Sequence, residues 1–222
     1  MAARSLLHGI QGLLERTYGM RTGPDAARFV IGDLGFRKFY VEVRSGHPEV
    51  GARTLVRETG EGVRAAIYYP DGMIARLEAH PPHRGLGEAN VDVFAALVEE
   101  LDHLLCIAEA VELGRPVSLL ELELHANVSK TLVLARFLAG ARARPLDAAR
   151  RTWLRYHLFH KGEWAGGTDM ERRRYREAAR LALRFLDALD RCLPAARLSV
   201  LRQFHAAAGQ GKRELIERLE TA

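Results

Sequence analysis

Cysteine and lysine are both scarce in this chain of 222 residues. The two cysteines, Cys106 and Cys192, lie far apart within helical patterns, which excludes a disulfide scaffold and favours two free thiols in a reducing compartment. Two distant cysteines alone also make a poor zinc site. Only four of the 33 basic residues are lysines, so arginine supplies most of the positive charge behind the net charge of +5. This bias is typical of a GC-rich genome, which we interpret as bacterial.

Long apolar runs are absent as well. No run approaches the ~20 residues that a membrane-spanning helix needs. The N-terminal stretch MAARSLLHGIQGLLERTYG predicts an amphipathic helix without the core of a signal peptide. We therefore expect a cytoplasmic protein with no membrane partner. A serine-hydrolase nucleophile elbow and a dinucleotide fingerprint are also absent, and GQGKRE lacks the flanking residues of a phosphate loop.

The arginines raise the question of nucleic-acid binding. The densest basic run, MERRRYREAARLALR, is basic on one face and apolar on the other. A solvated helix face explains this pattern more simply than a phosphate-binding patch, because no nucleic-acid-binding motif accompanies it. We expect an unknown protein partner rather than nucleic acid. An anion- or nucleic-acid-binding helical protein stays a further alternative.

The pattern of turns and periodicities predicts an α+β fold. Residues 1–89 predict a helix and strands, and residues 90–222 predict helices, as two domains or one continuous domain. RTLVRET, VRAAIYY and MIARLEAH are β-type runs separated by GEG and PDG, which are typical of tight turns. The expected fold is therefore an N-terminal helix and a three-stranded antiparallel sheet over residues 54–79, packed on a helical C-terminal half.

Capping signals set the expected helix boundaries in the second half. Asn90 predicts the N-cap of a helix that ends near residue 113. Ser118 and Glu121 predict a capping box for a helix that ends near residue 139, and the short link LGRPV predicts an antiparallel hairpin of these two helices. A third helix is expected over about 146–161. Thr168 and Glu171 predict a second capping box for a helix that ends near residue 193.

The stretch VEELDHLL places two glutamates one helical turn ahead of a histidine. The helix around Leu101 is apolar on both sides at about 100° per residue, so it should be buried on both sides. Glu99 and His103 then need partners, to each other or across to the second helix. His125 of the second helix should lie at a height similar to that of His103. A cluster of Glu99, His103, His125 and one further glutamate is geometrically allowed.

This arrangement resembles the zincin metallopeptidases of the gluzincin branch, over about residues 50–130. Their H-E-x-x-H motif holds zinc with two histidines and places a general base between them, and a glutamate from the next helix completes the site. On EELDH, the resemblance places Glu99 and His103 at the two histidines and Glu100 at the base. It places Glu123 at the last ligand, with 19 residues between His103 and Glu123.

The resemblance also implies roles outside the motif. Asn127 stands where the family often has an aspartate behind a histidine, and Tyr156 or His157 could steady the transition state. The first metal histidine is absent, which implies a scaffold that has lost peptidase chemistry.

We therefore expect a non-proteolytic binding or regulatory protein on a degenerate zincin-like scaffold, with no tightly bound metal. The alternative is a metal-dependent hydrolase that binds zinc or another divalent ion. Its candidate ligands are Glu99, His103, Glu123 and His125, and its candidate catalytic residues are Glu100 and Tyr156. The sequence leaves open whether the protein is an enzyme.

Overall fold

The computed structural model of the protein describes residues 2–21, 23, 25–40, 51–60, 62–140, 145–161 and 168–221. The first half contains α1 (Ala2–Tyr18), a 3-10 turn (Ala26–Phe29), β1 (Val30–Ile31), α2 (Asp33–Tyr40), β2 (Arg53–Thr59), β3 (Gly62–Tyr68) and α3 (Asp71–Ala79). After a second 3-10 turn (Pro82–Arg84), the described chain is helical. It comprises α4 (Val91–Glu112), α5 (Leu119–Ala139), α6 (Ala148–Arg155), α7 (Asp169–Arg191), α8 (Pro194–Ala206) and α9 (Gln210–Thr221). A π-helical turn (Tyr156–His160) continues α6.

The described strands form one sheet in the order β1-β3-β2. Strands β2 and β3 form the predicted antiparallel hairpin, in which Thr59 pairs with Gly62. The short strand β1 pairs with β3 in parallel, with Val30 opposite Ile67. The α+β class is therefore confirmed, but the expected antiparallel sheet is wrong because the sheet is mixed.

The run MIARLEAH, predicted as a third strand, is helix α3 instead. Met73 and Leu77 are both buried and stand four residues apart, which is the spacing of one face of a helix. Pro70 precedes the first turn as its N-cap, so the PDG motif opens a helix rather than a hairpin.

Capping residues explain where several helices begin. The capping boxes of Ser118 with Glu121 and of Thr168 with Glu171 are both confirmed. Asn90 is the N-cap residue of α4, as predicted, but its side chain makes no capping hydrogen bond. Its side chain instead accepts a hydrogen bond from the backbone N–H of Gly87 and donates to two backbone carbonyls, which fixes the loop before α4.

Helices α4 and α5 form the predicted antiparallel hairpin. Cys106 contacts His125 near the link between them, and Glu99 contacts Lys130 farther away, as antiparallel helices require. Leu101 and Leu105 of α4 are fully buried, so the expected core face is confirmed. Cys106 and the more accessible Cys192 are both free thiols, also as expected.

A hydrophobic core joins the two halves of the chain. Ile10 of α1, Ile67 of β3, Phe94 of α4, Phe185 of α7 and Ile216 of α9 are all buried in it. None of the described helices combines the length and the apolar character needed to cross a membrane.

The arginine-rich helix α7 is amphipathic, with its apolar face in the core. Several of its arginines pair with nearby carboxylates; these pairs are Arg172 with Asp169, Arg180 with Glu177, and Arg184 with Glu220. Such pairing is typical of a solvated helix face.

We expect Leu101→Ala to lower the free energy of unfolding by about 2–5 kcal/mol, because it leaves a cavity in a closely packed core. Chemical denaturation measures this loss. Val111→Ala, at an exposed position of the same helix, is the matched control and should change stability by no more than about 0.5 kcal/mol. Equal effects of the two substitutions would mean that the α4–α5 contact contributes little.

Candidate functional site

Helices α4 and α5 bury many polar side chains where they meet. Every residue of α5 over 122–130 is buried. Buried charges are costly unless they are paired. The polar residues fall into two groups on different faces of α5. We call one the acidic cluster, formed by Glu99, Glu100, His103, Glu123 and Lys130. We call the other the imidazole relay, formed by Asp102, His125, His205 and Glu109.

Three side chains of the acidic cluster converge on one point. Glu99, His103 and Glu123 each offer a ligand atom, and these atoms lie within 4.8 Å of one another. Glu99 and His103 stand one turn apart on α4, and Glu123 faces them from α5. Lys130 donates a hydrogen bond of 2.7 Å to Glu99 Oε2. The cluster therefore combines converging ligand-type groups with a cation at its edge.

Glu100 contacts His103 from the side of the sheet. Its Oε2 accepts a hydrogen bond of 2.8 Å from Thr54 Oγ1 of β2 and lies 3.5 Å from His103 Nδ1. This carboxylate favours a proton on Nδ1, which leaves Nε2 as the ring nitrogen available to a cation. A carboxylate that orients a ligand histidine in this way is common behind protein metal sites.

The charges of the acidic cluster shift the pKa values of its members. Burial opposes a charge on His103, but the hydrogen bond to Glu100 and the surrounding carboxylates outweigh it and raise the pKa of His103 to about 9. Burial raises the pKa of Glu123 to about 7, although the charge of His103 opposes this. Burial also acts to raise the pKa of Glu99, but Lys130 and His103 hold it below its ordinary value. The cluster thus attracts positive charge, which protons supply at neutral pH.

Unpartnered polar atoms gather around Glu123. His103 Nε2, Asn127 Oδ1 and Arg174 Nε are buried and have no hydrogen-bond partner among the described residues. His103 and Arg174 both act on the charge of Glu123, and Asn127 follows Glu123 by one turn of α5. Each unpartnered buried group costs about 1–3 kcal/mol. Several of them in one place indicate a position for a ligand.

The structure brings three of the four predicted metal ligands together. Glu99, His103 and Glu123 meet in the acidic cluster, whereas His125 lies on another face of α5 and pairs with Asp102. The suggested grouping of His125 with Glu99 and His103 is therefore wrong, because two residues along a helix turn a side chain by about 200°. The expected bond from Glu99 to the second helix is confirmed by Lys130.

Tyr156, the second predicted catalytic residue, lies elsewhere. It is 52% exposed on the π-helical turn and packs against the ring of His157. His157 Nε2 lies 2.9 Å from Glu88 Oε1, and Lys161 donates to Asp92 at 2.8 Å. These contacts attach the turn to the start of α4, about two helical turns before Glu99.

The imidazole relay is a continuous row of hydrogen bonds. Asp102 Oδ2 lies 2.8 Å from His125 Nδ1, and His125 Nε2 lies 3.1 Å from His205 Nδ1. His205 Nε2 lies 2.6 Å from Glu109 Oε2. The ring of Tyr18 covers the row, with its centroid 4.4 Å from that of His125. The relay therefore links α8 to α4 and α5 through buried polar contacts.

The hydrogen bonds of the imidazole relay determine how many protons its two histidine rings carry. His125 Nδ1 and His205 Nε2 each donate a hydrogen bond to a carboxylate. The hydrogen bond between His125 Nε2 and His205 Nδ1 requires a third proton. Three protons on four nitrogens amount to one positively charged imidazole. Burial and the charge of His125 lower the pKa of His205 to about 4. Burial would raise the pKa of Asp102, but His125 holds it below its ordinary value.

Cys106 adjoins the relay, with its Sγ 3.4 Å from His125 Nδ1. Cys106, His125 and His205 form a second group of ligand-type residues. However, all four ring nitrogens already have partners, and burial together with the charge of Asp102 raises the pKa of the Cys106 thiol. A metal ion here would have to displace protons and hydrogen bonds. The sequence did not predict this relay, because His205 comes from α8 and no local spacing relates it to His125.

No protein-family model, no curated protein and no solved structure matches this chain. The zincin resemblance therefore stays a hypothesis. Function has to be argued from the chemistry of the acidic cluster and the imidazole relay.

The acidic cluster predicts a pH dependence of stability. A pKa of about 9 for His103, against an ordinary value of 6.5, means that its contribution is complete below pH 6.5 and is lost as the pH rises through 9. The pKa of Glu123 is raised from 4.5 to about 7, so its contribution is complete below pH 4.5 and is lost as the pH rises through 7. We expect the unfolding free energy of chelator-treated protein to fall by on the order of 2 kcal/mol between about pH 6 and pH 9.

Denaturant titrations over this pH range measure the fall. His103→Gln should remove most of the decline above pH 7, whereas the exposed control His83→Gln should retain it. A decline that is the same in both variants would contradict a proton held in the acidic cluster.

The relay predicts that His205→Leu destabilises the protein, because it leaves His125 Nε2 without its partner and removes one of the two partners of Glu109 Oε2, of which Arg115 remains. Each such loss costs about 1–3 kcal/mol, measured by chemical denaturation. His83→Leu, at an exposed position, should stay within about 0.5 kcal/mol of the parent protein. A His205→Leu variant as stable as this control would show that the relay does not hold α8.

Proposed function

We propose that this protein binds one divalent transition-metal ion between α4 and α5, with Glu99, His103 and Glu123 as ligands, and acts as a non-proteolytic binding or regulatory protein. The convergence of the three ligand atoms within 4.8 Å carries the proposal. Two atoms that share a zinc ion are at most about 4.4 Å apart, because each lies about 2.0–2.2 Å from the metal. Small side-chain rotations would therefore close the site.

This proposal departs from the expectation of no bound metal that the sequence alone favoured. Two observations favour the alternative of a bound metal ion. His103 Nε2 is buried without a partner in the part of the chain that the structure describes, and the hydrogen bond to Glu100 and the surrounding carboxylates already favour a proton on His103. Lys130 forms an ion pair with Glu99 and partly compensates its negative charge, so the protein can fold without a bound ion.

The position of Glu100 favours binding over peptide hydrolysis. A general base must reach a metal-bound water. Glu100 is buried, and the same oxygen that faces His103 accepts the hydrogen bond of Thr54. This geometry suits a carboxylate that orients His103 rather than one that takes a proton from water. The arginine pairs on α7 likewise favour a protein partner over nucleic acid.

A metal-dependent hydrolase is the second candidate, because Glu100 lies beside a prospective metal ligand. A hydrolase that uses Glu100 as its base should lose activity in Glu100→Gln while it keeps its metal. Peptide and ester hydrolysis by the metal-loaded protein tests this candidate. We expect no hydrolysis with either the parent protein or the variant.

The metal site predicts about one ion per chain in protein purified without chelators, measured by elemental analysis. Added Zn²⁺ or Mn²⁺ should raise the melting temperature, and EDTA should reverse the rise. Glu123→Gln should weaken metal binding at least tenfold, since removal of even a supporting group costs about 10–100-fold.

Glu112→Gln is the matched control, because Glu112 lies at the exposed end of α4. It should bind metal as the parent protein does. The proposal fails if the protein carries no metal and its melting temperature ignores both ions, or if Glu112→Gln and Glu123→Gln weaken binding equally.

A further inference from the structure

Asn127 lies in the middle of the α5 face that meets the acidic cluster. Glu123, Asn127 and Lys130 stand at positions i, i+4 and i+7 of the helix, so they share one face. Glu123 on one side of Asn127 belongs to the converging ligands, and Lys130 on the other side reaches Glu99. Asn127 is therefore enclosed between two residues that both act on the same centre.

The side chain of Asn127 is buried, with 2% of the residue exposed, and its Oδ1 has no hydrogen-bond donor among the described residues. A buried amide oxygen normally has a partner. The neutral side chain of Asn127 also contributes nothing to the charge balance of the cluster. Its oxygen is the kind of group that a cation accepts as a ligand.

We propose that Asn127 Oδ1 is a fourth protein ligand of the ion bound by Glu99, His103 and Glu123. This inference rests on the proposed metal-binding function. The ligand set then consists of three oxygens and one imidazole nitrogen. Structural zinc sites are built mainly from sulfur and nitrogen in tetrahedral geometry. Carboxylate and amide oxygens suit harder ions with five or six ligands.

The ligand set therefore points to a Mn²⁺- or Fe²⁺-type ion, with water in the remaining positions. The neighbouring group of Cys106, His125 and His205 offers softer ligands, which would suit zinc better. Those ring nitrogens are already hydrogen-bonded, whereas Asn127 Oδ1 and His103 Nε2 are not. Among the described residues, the buried ring nitrogen without a partner is therefore that of His103 in the acidic cluster, whereas the relay's unpartnered atom is the carboxylate oxygen Asp102 Oδ1.

Titration of the chelator-treated protein with Mn²⁺ and Co²⁺ tests the proposal. Asn127→Leu should lower Mn²⁺ affinity by about tenfold or more. Asn127→Asp should raise it, because it replaces an amide ligand with a carboxylate. Thr131→Val, one turn farther along α5, is the matched control and should leave the affinity unchanged. Bound Co²⁺ should show the weak visible absorption of a five- or six-coordinate ion.

A second measurement separates a ligand from a structural residue. Because Asn127 Oδ1 has no partner among the described residues, Asn127→Leu should not lower the melting temperature without metal and should reduce only its rise with metal. Normal Mn²⁺ affinity in Asn127→Leu, or intense tetrahedral Co²⁺ absorption, would overturn the role of Asn127 and leave the metal-binding function standing. Absence of binding to the parent protein, or binding that Cys106→Ser abolishes, would overturn both.

Discussion

The enclosure of helix α5 on every side over residues 122–130 constrains the rest of the structure. Its polar residues cannot reach water freely, so each must find a partner inside the protein. On the face of His125, the partners form a row of hydrogen bonds that reaches α8 and uses every ring nitrogen of His125 and His205, although Asp102 Oδ1 has no partner among the described residues. On the face of Glu123, the charges of His103 and Lys130 oppose that of the carboxylate. His103 Nε2 and Asn127 Oδ1 have no hydrogen-bond partner among the described residues. The first face can stabilise the fold, and the second can accept a ligand.

Local signals made much of the fold predictable. The capping boxes at Ser118 and Thr168 depend on groups only three residues apart, and the apolar pattern of α4 shows burial on both sides. The third strand failed because a short apolar run fits a strand or a helix, and only the burial of Met73 and Leu77 separates the two. The parallel partner of β3 comes from far upstream, and no local pattern indicates it.

The candidate site was predictable to the same extent. Glu99 and His103 follow from helical spacing. Glu123 was implied only by the zincin resemblance, because the hairpin geometry suggested His125 in its place. The partners that decide their chemistry come from elsewhere in the fold. Thr54 approaches Glu100 from β2, and His205 reaches His125 only because of how α8 packs. Whether His103 Nε2 has an acceptor depends on tertiary packing, which a pattern of residue types does not contain.

The two clusters hold positive charge by different means, and this difference decides which can exchange it for a metal ion. In the relay, each proton lies between a nitrogen and a second acceptor, so a metal ion would have to break directional hydrogen bonds. In the acidic cluster, His103 Nε2 has no acceptor among the described residues, and the hydrogen bond to Glu100 and the surrounding carboxylates raise the pKa of His103. Charge stabilises any cation of suitable size, whereas a hydrogen bond requires a proton. The proposed ion would therefore replace a proton of His103 Nε2 without breaking a hydrogen bond of that nitrogen, and the exchange would become easier as the pH rises toward 9.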